Sequence, residues 1–175
     1  MSGPSSMIKT EVPRRKKIMV LGLGNILNHD EGAGVYALKE LEKIAPEEIR
    51  ARAELVDGGV LGMDLLPYVE GASHLLILDA VDSGMEPGDI IEYENDEIEL
   101  FYHGRLSWHQ LGFQEVLAVA KIREKFPEEI HLIGLQPKDI STGLGLSVEV
   151  EKAVREMARR ALEILTGWLE EIRER

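Results

Sequence analysis

The chain of 175 residues contains no cysteine. That absence removes disulfide frameworks, zinc ribbons, iron–sulfur clusters and thiol nucleophiles together. Also missing is any apolar run near the roughly 18 residues that would span a bilayer. The basic group Arg14-Arg15-Lys16-Lys17 is followed by a short apolar strand and then by polar Asn25, Asn28, His29 and Asp30. That is not the layout of a secretory signal, so a cytoplasmic protein is expected. Positive charge is scarce: 20 Lys and Arg stand against 32 Asp and Glu, a net charge of −12. DNA, RNA and anionic lipid would be repelled. A partner with a basic face would suit the balance better. Several catalytic signatures are lacking too. No H-E-x-x-H or G-x-S-x-G occurs, which removes the standard zinc peptidases and the serine nucleophile elbow. Asp82-Ser83-Gly84 is a single copy of a D-[ST]-G motif. Aspartic peptidases need two aspartates sharing a proton, so this copy reads as a turn.

What remains is a chain with 44% hydrophobic and 30% charged residues, enough to bury a core in one domain. Residues 1–16, with Ser2, Gly3, Pro4, Ser5, Ser6 and Pro13, read as a disordered arm. Residues 17–175 read as a single domain. Short apolar runs at Ile18–Leu21, Ala53–Val56, Leu75–Leu78, Asp89–Tyr93 and Glu129–Leu135 are expected as five strands. Between and after them, Glu31 to Leu41, Leu61 to Val69, His109 to Lys125 and Val148 to Leu169 have helical spacing. Strands alternating with helices predict an α/β fold. The expected form is a three-layer α/β/α sandwich around a mostly parallel twisted sheet of about five strands. Sites in such sheets lie at the carboxyl ends of the strands, near the point where strand order reverses.

Three residues stand out at such positions. Glu31 follows the glycine-rich segment Gly22-Leu23-Gly24 after the first strand. Asp30 before it is expected as the N-cap of the next helix, which places Glu31 in a first turn that favours an ionised carboxylate. Asp79 stops the apolar third strand. His109 opens a helix behind an expected Ser107 N-cap, where the helix dipole disfavours the protonated ring and leaves the neutral imidazole that ligates metals. His29 lies in the same loop as Glu31, whereas His74, His103 and His131 read as surface or strand-start residues. A dinucleotide site is the rival reading, yet the third glycine of G-x-G-x-x-G is replaced by Leu27, and Asp57 lies too far along for the ribose acid. A Ser107–His109–Asp79 triad can be composed on paper, with Ser107 and His109 too close along one helix start to be good partners. Two carboxylates and an imidazole suit a borderline divalent ion such as zinc or nickel, with coordination positions left open.

The ordered segments resemble a known family. Leu21-Gly22-Leu23-Gly24-Asn25-Ile26-Leu27 with Asp30-Glu31, Asp57-Gly58-Gly59 with Gly62-Met63, Leu78-Asp79-Ala80, and Ser107-Trp108-His109-Gln110-Leu111-Gly112 are similar to the blocks of the hydrogenase maturation peptidases. Gly134-Leu135-Gln136-Pro137 and Gly145-Leu146-Ser147 continue the match more weakly. The resemblance implies an endopeptidase that removes a C-terminal peptide from the nickel-loaded precursor of the [NiFe]-hydrogenase large subunit. It implies Glu31, Asp79 and His109 as metal ligands and catalytic residues, with nickel carried by the substrate and zinc able to take its place. Asp79 has an alternative role as general base. The family commonly has proline before the histidine, and Trp108 stands there. A non-enzymatic, metal-dependent chaperone for the same subunit is the alternative reading; it would keep the three ligands and release no peptide. Monomer and homodimer both fit.

Overall fold

The computed structural model describes residues 16–98 and 108–174, the side chains of 108–111 excepted. The expected arm over 1–16 (all but Lys16), Ser107 and His103 lie outside the described residues. The element order begins with β1 (Ile18–Leu23), a 3-10 turn (His29–Gly32), α1 (Ala33–Ile44), α2 (Glu47–Arg52) and β2 (Ala53–Gly59). A second 3-10 turn (Gly62–Leu65), α3 (Leu66–Gly71), β3 (His74–Ala80) and β4 (Ile90–Glu94) follow. The chain ends with α4 (Trp108–Ile122), β5 (Glu129–Leu135) and α5 (Val148–Glu174).

The sheet has five strands in the order β2-β1-β3-β5-β4. β1, β2, β3 and β5 are parallel, and β4 pairs antiparallel to β5, with Ile91 opposite Gly134. Every residue of β1 and of β3 is buried, as expected of strands covered on both faces. Alternate side chains enter two separate cores. Val20, Leu76, Leu78 and Ile133 pack with Leu38 and Leu41 of α1 and with Val154, Met157 and Leu165 of α5. Met19, Leu21, Leu75, Ile77 and Leu132 pack on the opposite face with Val69 of α3 and Phe113 and Val116 of α4. The three-layer α/β/α expectation is met.

Some local readings change. β3 continues through Asp79 and Ala80, which still pair with Gly134 and Leu135, so Asp79 lies within the strand. β2 likewise runs on to Gly59, because β1 keeps pairing with it as far as Leu23. The chain leaves β1 toward β2 on one side and later reaches β3 on the other. The strand order therefore reverses between β1 and β3, which is where such folds open a crevice.

Candidate active site

At the carboxyl end of β1 the chain must turn at once to lay α1 back across the sheet. Gly24 makes this possible: its φ is 118°, and an added Cβ would stand 1.8 Å from the Glu31 carbonyl oxygen. Gly34 sits even closer to the sheet, since a Cβ there would meet the Leu78 carbonyl oxygen at 2.1 Å and that of Leu23 at 2.5 Å. The first turn of α1 thus rests directly on the ends of β1 and β3. Glu31, three residues earlier, stands at the mouth of the crevice between them. Asn28 Nδ2 donates to Glu31 Oε2 at 2.7 Å and holds the carboxylate partly buried.

Asp79 lies at the end of β3 and is fully buried. By strand alternation it shares the face of Leu75 and Ile77, the side covered by α3 and α4. α4 precedes β5, whose first residue Glu129 pairs with His74 at the amino end of β3. As the helix that leads into a parallel strand, α4 starts at the carboxyl edge, on Asp79's side. Its first turn holds His109, and Gly112 one turn later packs beside Gly62 of the loop after β2. The structure therefore brings Glu31, Asp79 and the backbone of His109 to one edge. The His109 side chain lies outside the described residues. Among the described residues no three His, Asp or Glu side chains are grouped to hold a metal ion.

Asp30 corrects the expectation. It lies inside the 3-10 turn, and α1 is preceded by Gly32 with no side-chain cap. The Asp30 carboxylate is fully buried and turns instead to the segment after β5. Oδ2 accepts from Lys138 N, Asp139 N and Ser147 Oγ, and Oδ1 accepts from Ser147 N. Four donors repay the desolvation of a buried charge that would otherwise be costly. His29, at φ 44°, donates from Nδ1 to the Gly145 carbonyl at 3.1 Å. Within this segment Ser141 donates to Asp139 and holds its carboxyl below the usual range.

Gln136, also buried, secures the next loop: its Oε1 accepts from Ser83 N, Ser83 Oγ and Met85 N, and its Nε2 donates to Asp82. The Asp82-Ser83-Gly84 turn is thus a loop tied down from β5. Of the two described histidines read as surface or strand-start residues, His74 does open β3 and His131 is the third residue of β5. His74 and His131 are buried, His74 edge-on against Trp168 and His131 between Glu92 and Glu94. Neither lies at the carboxyl edge of β3. Asp30, Ser147 and Gln136 carry no local signal in the sequence, since their partners lie 51 to 117 residues away.

Around the carboxylates, the loops at this edge leave large apolar side chains in solvent. These are Ile26 and Leu27 after β1, Val60 and Leu61 after β2, Met85 after β3, and Ile140 and Leu144 after β5. Exposed apolar side chains gathered on the loops of one edge are available for contact with a macromolecular partner. The chemistry available at this edge is that of two carboxylates, one buried and one hydrogen-bonded, together with a helix start whose sequence carries an imidazole. That donor set fits a borderline divalent cation.

Comparison with known proteins agrees with this architecture. A family model described as hydrogenase maturation protease (HycI) matches residues 35–164. HupD of Rhizobium leguminosarum, a hydrogenase expression/formation protein, is 37% identical over 89% of this chain and 77% of its own length. The hydrogenase 2 maturation protease of Escherichia coli is 34% identical over 85% of this chain and 90% of its own. Among solved structures, the hydrogenase maturating endopeptidase HybD of Escherichia coli superposes with a TM-score of 0.79 at 33% identity, over 86% of this chain and 93% of that one. With fold, edge and sequence all in agreement, the chain belongs to the hydrogenase maturation protease family.

Proposed function

We propose that this chain is the endopeptidase that removes the C-terminal peptide from the nickel-loaded precursor of the [NiFe]-hydrogenase large subunit, and that it recognises nickel already held by that precursor. The observation that carries the reading is the set of exposed apolar side chains on the loops after β1, β2, β3 and β5, at the same sheet edge as Glu31 and Asp79. A small-molecule enzyme has no need of such a surface, whereas a protein substrate must dock while its tail reaches the crevice. Glu31, Asp79 and His109 are the ligands this chain offers to the ion. These residues would hold the ion, which would then supply Lewis-acid chemistry toward a peptide carbonyl or a water. The protein's own part is to hold the tail, orient it and present the two carboxylates. The ion is cargo of the substrate, and zinc is expected to occupy the same ligands in its place.

The test mixes purified protein with nickel-loaded and nickel-free precursor and weighs the products. Release of the peptide only from the loaded form is expected. Equal cutting of both forms would remove the metal-sensing role. Stable binding with no peptide released would point to a chaperone. Glu31→Gln and His109→Ala are each expected to slow cleavage by about 100-fold or more, as for a reacting group displaced from its working position. Full activity in either variant would remove that ligand.

A further inference from the structure

The turn that carries Glu31 lies against β3 and is also hydrogen-bonded from elsewhere. It is held by a segment from the far end of the chain. His29 N donates to Gly143 O at 2.9 Å, Gly143 N to Leu27 O at 2.8 Å, and Asp30 N to Asp139 O at 2.9 Å. The Asp30 carboxylate completes the junction with its bonds to Lys138 N and Asp139 N at 2.9 Å, Ser147 N at 2.7 Å and Ser147 Oγ at 2.8 Å. An aspartate at the start of a helix ordinarily serves that helix's own amides. All four of these bonds go instead to the segment after β5, so the carboxylate does nothing for α1.

We infer that Asp30 is a positioning residue for Glu31, locking the 138–147 segment against the turn and thereby setting where the Glu31 carboxylate stands at the crevice. The role rests on the reading of Glu31 as a ligand given above. Asp30 is joined to Glu31 by one peptide bond, so a backbone shift at Asp30, once its bonds to the 138–147 segment are lost, carries the Glu31 backbone with it. The donors around Asp30 are mostly backbone N–H groups with fixed directions. A charged acceptor bonded on both oxygens tolerates little displacement. Asparagine keeps the shape and presents Nδ2–H where an acceptor is needed, which sets donor against donor.

The test uses the full chain with Asp30→Asn and Ser147→Ala. Amide exchange at Lys138, Asp139 and Ser147 reads the lock. The carboxyl carbon signal of Glu31 in 13C-glutamate-labelled protein, assigned by its loss in Glu31→Gln, reads the position. Cleavage of loaded precursor, assayed well below each variant's Tm, reads the consequence. In Asp30→Asn the three amides are expected to lose protection while amides of β1 and β3 keep theirs. The Glu31 signal shifts, kcat falls about 10- to 100-fold, and KM changes less than kcat, since Val60, Leu61 and Met85 keep their places while only Ile140 and Leu144 lie in the loosened segment. Ser147→Ala removes one donor of the four and is expected to lower kcat by about 3- to 10-fold; it serves in place of Asp30→Asn if that variant fails to fold. Retained amide protection, or an opened lock with an unmoved Glu31 signal or unchanged kcat, would overturn the inference. If the wild-type chain cuts no precursor, the proposed function fails. The Glu31 signal then decides this inference alone: a shift upholds it and an unmoved signal overturns it.

Discussion

An added Cβ at Gly24 would overlap the Glu31 carbonyl oxygen, and the backbone there has φ 118°, which side-chain-bearing residues rarely adopt. Gly24→Ala is therefore expected to cost about 1–3 kcal/mol through overpacking and strain, read as a lower urea midpoint with an unchanged slope. Cleavage should fall further than stability explains, because the overlap displaces the Glu31 turn itself. A midpoint and activity both unchanged would show that the turn relaxes freely. At this scale, the placement of Asp79 near the carboxyl end of an apolar strand, and of Glu31 in the turn after another, was legible from a few neighbours. Asp30 was misread for the same reason: an aspartate ahead of a helix looks like a cap from its neighbours alone. Its true partner, Ser147, is 117 residues away.

Among the elements, β3 couples the two ends of the sheet. Asp79 lies one residue before its carboxyl end, and His74 opens its amino end against Trp168. The Ser73 hydroxyl donates to the Lys17 carbonyl, so His74 Nδ1 donates to Ser73 Oγ at 2.9 Å. Burial, and then nearby Lys16, hold the His74 imidazole below the ordinary histidine range. The folded chain thus refuses a proton that the unfolded chain accepts. Stability from neutral His74 is present above the unfolded value of about 6.5 and is lost as pH falls through the lower folded value. Tm is expected to drop between about pH 7.5 and 5.5, with a shallower drop in His74→Gln; equal slopes would assign the pH dependence to other groups. The strands were legible from their apolar runs, though not the direction of β4, which only its pairing with β5 settles. The six-residue α2 is too short to show a helical period. β2 overran its expected end because pairing with β1 outweighed the turn signal of Asp57-Gly58-Gly59.

Over the whole molecule, the net charge of −12 acts on any large partner before contact is made. For a precursor with a basic face, raising salt from about 0.05 to 0.5 M is expected to increase the KM for cleavage several-fold and leave kcat unchanged. A salt-independent KM would leave the charge as an aid to solubility alone. The three-layer arrangement was legible from the alternation of runs; the junction around Asp30 was not, since it depends on how the finished sheet brings its loops together. That junction also imposes an order in time. The turn bearing Glu31 is synthesised early, whereas the amides and hydroxyl that secure it arrive 108 to 117 residues later. Contacts so distant along the chain form late, after the local elements and the sheet. A nascent chain ending before Lys138 would possess both carboxylates and none of the bonds by which the later segment holds the Glu31 turn, so that turn is fully secured only once the chain has been made through Ser147.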